Sequence, residues 1–197
     1  MTWYVVDGMD GSGKSTVGEE LRCHLESKGR KVYIVTHPDE SKLIGRLEAR
    51  MLRKDVGKIS EIMTTFAYVG DILGSLFRMK AMGKRYDDFI FVRYSMAAAY
   101  VPEPLCFTAY RIIRKVLPNP DVRIFVDVDA DTAMSRIDSR GGEKELFETT
   151  DKLMRVRNRM LRIAEQDWHI LDNTGGREQT RSRLHEIVDD TSAIPSI

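Results

Sequence analysis

The segment Gly8-Met9-Asp10-Gly11-Ser12-Gly13-Lys14-Ser15 satisfies the pattern G-x-x-x-x-G-K-[ST] at every specified position. Its flanks constrain the fold more than any other feature of the chain. Residues 3–7, just before it, form a short run rich in β-formers. After it, Val17, Leu21 and Leu25 recur every four residues with charges between them, which is a helical period. A strand that passes through a glycine turn into a helix is built to hold phosphate. Gly8, Gly11 and Gly13 allow tight turns that expose successive backbone N–H groups, and the helix N-terminus adds partial positive charge. Lys14 is placed to reach β- and γ-phosphates, and the Ser15 hydroxyl to ligate magnesium. Gly11 and Gly13 also begin G-x-G-x-x-G, the dinucleotide pattern, but Thr16 stands where its third glycine belongs.

The rest of the chain keeps alternating between the two periods. Strands are predicted at 31–36, 89–92, 122–128 and 168–171, besides 3–7. Helices are predicted at 12–29, 43–52, 59–82, 95–100, 105–117, 129–139 and 177–190, with another marked by Leu153, Val156, Met160 and Ala164. In 59–82 the apolar residues, Phe66, Leu73 and Phe77 among them, cover more than one face, which predicts a helix buried on several sides. Continuous apolar strands such as Phe89-Ile90-Phe91-Val92 suit a parallel sheet covered on both faces. The expectation is an α/β fold of the three-layer P-loop NTPase type, with five parallel strands flanked by helices and a short lid. One domain would span 1–197, with the lid at about 139–147 and acceptor-side helices at about 42–82.

Composition narrows the function. Hydrophobic residues make up 42% and charged residues 31%, an ordinary globular balance. Lys and Arg total 31 against 30 Asp and Glu, which argues against bulk electrostatic binding to nucleic acid or to anionic membrane. Cys23 and Cys106 are too few for a disulfide framework and are not spaced as metal ligands, so a reducing compartment is expected. No leader sequence is read at the N-terminus, and the uncharged stretch at 95–101 is too short to span a bilayer. The expected location is cytoplasmic. Arg155, Arg157, Arg159 and Arg162 read as a solvated helix face rather than a nucleic-acid site.

With Thr16 added, the glycine loop is similar to the phosphate loop of thymidylate kinases, which carry an acidic residue at its centre; Asp10 takes that place. Other landmarks follow in the family's order. Thr36-His37-Pro38-Asp39 resembles the proline turn after strand two, and Ile44-Gly45 the helix start after it. Phe66-Ala67 resembles the aromatic that stacks on the acceptor base, and Arg93-Tyr94 with Ala99-Tyr100 the motif D-R-Y…A-Y. Pro120-Asp121 and Val126-Asp127-Val128-Asp129 resemble the fourth strand and its exit. Arg136, Ser139-Arg140-Gly141 and Phe147-Glu148 resemble the lid and the helix behind it, and Leu171-Asp172-Asn173-Thr174 the loop flanking adenine.

The resemblance covers roughly 4–188. It implies transfer of the γ-phosphoryl group of ATP to a nucleoside monophosphate, dTMP first among them, with Mg2+ and often as a homodimer. It assigns catalytic roles to Lys14, Arg93 and Arg140. Nucleotide binding falls to Gly8, Asp10, Gly11, Ser12, Gly13, Lys14, Ser15, Thr16, Arg136, Arg140, Asn173 and Thr174, with Ser15 on the metal. Acceptor binding falls to Asp10, Phe66, Arg93, Tyr94 and Tyr100, and the residues themselves add two candidates: Asp71, a carboxylate in a very apolar helix, and His37, which at the end of strand two is placed to replace an arginine that the family carries there.

The departures from the family lie on the acceptor side. Val92 stands at the D-R-Y aspartate, and Gly70 at the arginine that reads the pyrimidine. Residues 36–40 hold no arginine, and Leu146 replaces one in the lid. Charge-assisted contacts to phosphate contribute about 1.5–3 kcal/mol each, so these losses bear on which acceptor is taken. Two alternatives stay open at this point: a kinase for a different small-molecule or nucleoside acceptor, and a non-catalytic ATP-binding regulator.

Overall fold

The computed structural model describes residues 1–37, 57–101, 103–139 and 149–192, with backbone alone at 57–67, 191 and 192. The predicted helix at 43–52, the turn at Pro38-Asp39, the side chain of Phe66, Arg140 and the rest of the lid beyond Ser139 lie outside the described residues.

Five strands form one parallel sheet: β1 (Thr2–Asp7), β2 (Val32–Thr36), β3 (Asp88–Val92), β4 (Val122–Asp127) and β5 (His169–Asp172), in the spatial order β2-β3-β1-β4-β5. The described helices are α1 (Lys14–Ser27), α2 (Gly57–Met82), α3 (Leu105–Val116), α4 (Ala130–Ser139), α5 (Thr150–Ala164) and α6 (Arg177–Ser192). Every strand predicted from sequence is present, with ends shifted by a residue or so. Residues 95–100, predicted helical, form instead a 3-10 turn over Met96–Tyr100. Its bonds close over three residues, as Val101 N–H donating to Ala98 O shows.

The inner strands β1, β3 and β4 are largely apolar between their ends because both faces of the sheet are covered. On one face Trp3, Val5, Phe89, Phe91 and Phe125 pack with Leu153, Val156 and Met160 of α5. On the other, Tyr4, Val6, Ile90, Val92 and Ile124 pack with Val17, Leu21 and Leu25 of α1 and with Leu184 and Ile187 of α6. The period of two within each strand thus sends alternate residues to two separate cores.

Helix α2 departs from expectation. Ile72 is buried, but Leu73 is 41% and Phe77 74% exposed, so one apolar side of the helix is uncovered among the described residues. The arginine stripe of α5 also differs from the solvated face expected. Arg157 pairs with Asp127 through Nε and Nη2 at 2.8 and 2.7 Å. Arg159 donates to the carbonyls of Ala99 and Val101 at 3.0 and 3.3 Å. Strand-end and turn acceptors lie under this helix, so its inner arginines are tied to the protein rather than to water.

Candidate active site

The strand order brings the C-terminal ends of β1, β3 and β4 together, where parallel sheets place their ligands. Val6 is in register with Val92, and Asp7 with Phe125. The glycine loop leaves β1 at this point. Gly11 and Gly13 have φ of 78° and 87°, the left-handed region that only glycine enters without strain. A Cβ on Gly13 would come within 2.6 Å of Asn173 Nδ2, and one on Gly11 would strike the backbone of Ala133. Gly13 caps α1 and brings no side chain to it. The first N–H groups of a helix have no carbonyl a turn earlier, so those of Lys14, Ser15 and Thr16 are left to an anionic ligand. Ser12 Oγ is buried with no hydrogen-bond partner among the described residues, a second sign of a cradle shaped for a polar guest. For magnesium, the loop offers the Ser15 hydroxyl, exposed on the first turn of α1. One protein oxygen beside a phosphate cradle suits an ion that takes most of its ligands from phosphate and water.

Asp10 organises the other side of the loop. Its Oδ1 accepts from Lys14 Nζ at 3.1 Å and from Arg93 Nη2 at 2.5 Å. Its Oδ2 accepts from the Tyr100 hydroxyl at 2.6 Å, and its own N–H donates to the Tyr100 oxygen at 3.2 Å. Lys14 Nζ also donates to Met9 O at 3.0 Å. Burial pushes the Asp10 carboxyl up, but the charges of Lys14 and Arg93 and the Tyr100 hydroxyl outweigh it and hold the group well below the usual carboxylate range. Burial, joined by the charge of Arg93, brings Lys14 down to about 8 against the pull of Asp10. Burial and the neighbouring Asp10 charge raise the Tyr100 hydroxyl well above its ordinary value.

Asn173 joins the far side of the loop to β4, α4 and α6. Its N–H donates to Asp127 O at 2.8 Å and its Nδ2 to Ser12 O at 2.7 Å. Its carbonyl accepts from Arg136 Nη2 at 2.9 Å and its Oδ1 from Thr180 Oγ1 at 3.2 Å. Thr174 is exposed beside it, its N–H on Asp172 Oδ1 at 2.8 Å. A cleft between α1 and α6, lined by Thr16, Val17, Asn173 and Thr180, opens from this corner.

Two acceptor-side candidates are placed differently from the sequence reading. His37 is fully buried, with Nδ1 2.9 Å from Arg93 O and Nε2 3.0 Å from Ser75 Oγ. It braces the backbone of Arg93 and is not a surface cation standing in for a lost arginine. The Tyr94 ring packs edge-on to Trp3 at 5.2 Å, and its hydroxyl donates to Pro118 O at 2.9 Å. Tyr94 is therefore a core residue, because the chain turns after Arg93 and carries the next side chain inward. Asp71 is buried on α2, four residues before Ser75. Asp7 and Asp127 carry no site role in the sequence reading; each is a carboxylate at the last position of its strand, after a run of apolar residues, and that placement is the signal that marks them.

A family model described as thymidylate kinase matches residues 6–184. A probable thymidylate kinase of Pyrobaculum aerophilum is 29% identical over 95% of this chain and 96% of its own. A probable thymidylate kinase of Archaeoglobus fulgidus is 25% identical over 93% of both chains. The solved thymidylate kinase of Candida albicans shares the fold with a TM-score of 0.72 at 19% identity, over 97% of this chain and 92% of its own.

Proposed function

The chain belongs to the thymidylate kinase family, and from that premise we propose that it is an ATP-dependent nucleoside monophosphate kinase that phosphorylates dTMP to dTDP. The observation that carries the reading is the shared Asp10 carboxylate. It ties Lys14, the donor-side cation, to Arg93, the cation at the end of β3. The two phosphates that must react would therefore meet beside one ionised side chain.

In this reading the loop N–H groups and Lys14 hold the β- and γ-phosphates of ATP. Magnesium, held by Ser15 and the phosphates, would neutralise charge on the transferring group. Arg93 clamps the acceptor phosphate. An oxygen of that phosphate attacks the γ-phosphorus in line while the bond to the β–γ bridging oxygen breaks, leaving ADP. Such transfer depends on positioning and charge neutralisation more than on a strong base. Asp10, kept ionised, orients Arg93 and Lys14 and offers an acceptor to a sugar hydroxyl. Tyr100 and Phe66 line the acceptor pocket, and Arg140 arrives with the lid to exclude water. Arg136, Asn173 and Thr174 flank the adenine, with the cleft beside Thr16 open next to it.

Val92, where the family motif has aspartate, is fully buried in the core against α1. Asp10 is the carboxylate set beside Arg93 instead. Leu73 and Phe77, with Gly70 and Gly74 beside them on α2, form the face through which we propose a homodimer; light scattering on the purified protein would measure its mass. The proposed location is cytoplasmic.

The deciding test is ATP turnover with magnesium against dTMP, dUMP, the other nucleoside monophosphates, nucleosides and a no-acceptor control. Rapid turnover with dTMP is expected. Selective turnover with another acceptor would assign the departures to a change of specificity. No acceptor-dependent turnover, with ATP still bound, would overturn the reading. Arg93→Ala should cripple transfer while leaving ATP affinity near normal.

A further inference from the structure

Asp7 is 2% exposed, and nothing in the transfer described above uses it. Its carboxylate is nonetheless saturated by backbone. Oδ1 accepts from Gly8 N–H at 3.3 Å, while Oδ2 accepts from both Tyr94 N–H and Met96 N–H at 3.0 Å. Those two donors bracket the turn that leaves β3. Arg93 N–H makes the last sheet-like bond, to Val6 O at 3.0 Å. The chain then breaks from the strand at Arg93 itself, whose φ of 66° makes it the only non-glycine residue with positive φ among the described residues. Side chains other than glycine adopt that region when the surroundings over-determine it. Here the over-determination is visible: Asp7 grips the N–H groups of Tyr94 and Met96, and His37 Nδ1 lies 2.9 Å from the Arg93 carbonyl. The turn sends the guanidinium toward Asp10 Oδ1 and the Tyr94 ring into the core.

We propose that Asp7 is a positioning residue for Arg93: its buried carboxylate holds the left-handed turn at the end of β3, and so sets where the guanidinium meets the acceptor phosphate. The proposal rests on the reading of Arg93 as the acceptor clamp. Because Asp7 also closes on Gly8 N–H, one side chain joins the first residue of the phosphate loop to the turn carrying the clamp. A change at Asp7 is thus felt at the acceptor first. The N–H cradle at the start of α1, six or more residues along the chain from Gly8, keeps its own supports in Gly11, Gly13 and Asn173.

The test is a double-mutant cycle between Asp7 and Arg93. Asp7→Ala, Asp7→Asn and Arg93→Met are made singly, and each Asp7 variant is combined with Arg93→Met. Steady-state kinetics are read with dTMP and MgATP varied in turn, ATP affinity is measured directly, and folding is checked by circular dichroism. Asp7→Ala should raise the KM for dTMP at least tenfold and lower kcat, with ATP affinity within threefold of the parent. Asp7→Asn keeps an oxygen for Tyr94 and Met96 and should recover most of that loss. In the Arg93→Met background neither Asp7 change should cost more than a further twofold.

Losses that multiply with that of Arg93→Met, or that fall equally on ATP and dTMP, would overturn the proposal and leave Asp7 a fold residue. If Asp7→Ala does not fold, the Asn cycle decides alone by the same criterion. Arg93→Met with unchanged kinetics would remove the clamp reading itself, and the inference with it; that outcome shows in the single Arg93 variant, apart from any Asp7 result.

Discussion

Arg93 donates to Asp10 at 2.5 Å although 83 residues separate them in the chain. The pair exists because β1 and β3 are neighbours in the sheet, with Val6 opposite Val92, so that the residues just past each strand end share one corner. Arg93 and Lys14 are both cations, and they approach the same oxygen only because Asp10 stays ionised between them.

Neutralising that oxygen should therefore separate the two cations. Asp10→Asn keeps the shape and an oxygen for Tyr100 but loses the charge-assisted bonds to Lys14 and Arg93. The bond to Arg93, the one that bears on the acceptor, is worth about 1.5–3 kcal/mol, so kcat/KM for dTMP should fall by about tenfold to a hundredfold or more. Kinetics with dTMP varied at saturating MgATP measure it, and an unchanged kcat/KM would show that Asp10 does not organise the site.

ATP affinity should weaken at alkaline pH through Lys14. Burial and Arg93 bring this amine down to about 8 in the nucleotide-free protein, whereas bound phosphate requires it charged. Binding must then take up a proton above pH 8, and affinity should fall by about tenfold per unit once the free amine is mostly neutral. Titration calorimetry at pH 8.5 in buffers of different ionisation enthalpy should show the uptake; a binding heat independent of buffer would refute it.

The glycines divide into two kinds. Gly13→Ala places a Cβ within 2.6 Å of Asn173 Nδ2 at a φ of 87°. It should destabilise the fold by at least about 1–2 kcal/mol from backbone strain alone and abolish ATP binding. Gly70 lies within α2, where a Cβ meets nothing within 4 Å among the described residues. Gly70→Ala should stabilise the chain by up to about 1 kcal/mol. Denaturant unfolding of the two variants beside the parent gives both signs.

Acid should loosen the contact between α1 and α6. The rings of His24 and His185 stack 3.6 Å apart at 15°. Burial, the charge of His24 and that of Arg181 lower His185 below its ordinary value of 6.5, while Glu20 and Asp189 oppose the shift. The unfolded chain then binds this proton before the folded one does. The stability His185 contributes is present in full above 6.5 and is lost as pH falls below it, toward the folded value. His185→Gln should flatten the fall in unfolding free energy between pH 7 and pH 5; an equally steep fall would place the acid sensitivity elsewhere.

The phosphate loop and the five strands could be read from the chain alone because their causes are local. Left-handed glycines, a lysine at a helix start and apolar runs of period two or 3.6 carry their meaning within a few residues. Asp10 and Arg93 were also visible as candidates, each for its place at a strand end or in the loop. His37 and Tyr94 face inward for reasons that lie far along the chain. The Tyr94 ring follows a turn whose N–H groups bond to a carboxylate 87 residues away, and the His37 ring lies between the Arg93 carbonyl and the Ser75 hydroxyl.

What the sequence by itself determined is the order of elements, the phosphate loop and the family. Each of these is written in residue type and short spacing. Which buried carboxylate meets which backbone or cation was decided only by the tertiary structure: Asp7 on the turn after β3, Asp127 on Arg157, Asn173 on Ser12. Parallel strands are joined by long crossovers, so strand ends that are neighbours in the sheet are distant in the chain. A charge at such an end takes its partner from the order in which the strands assemble, and no local pattern records that order.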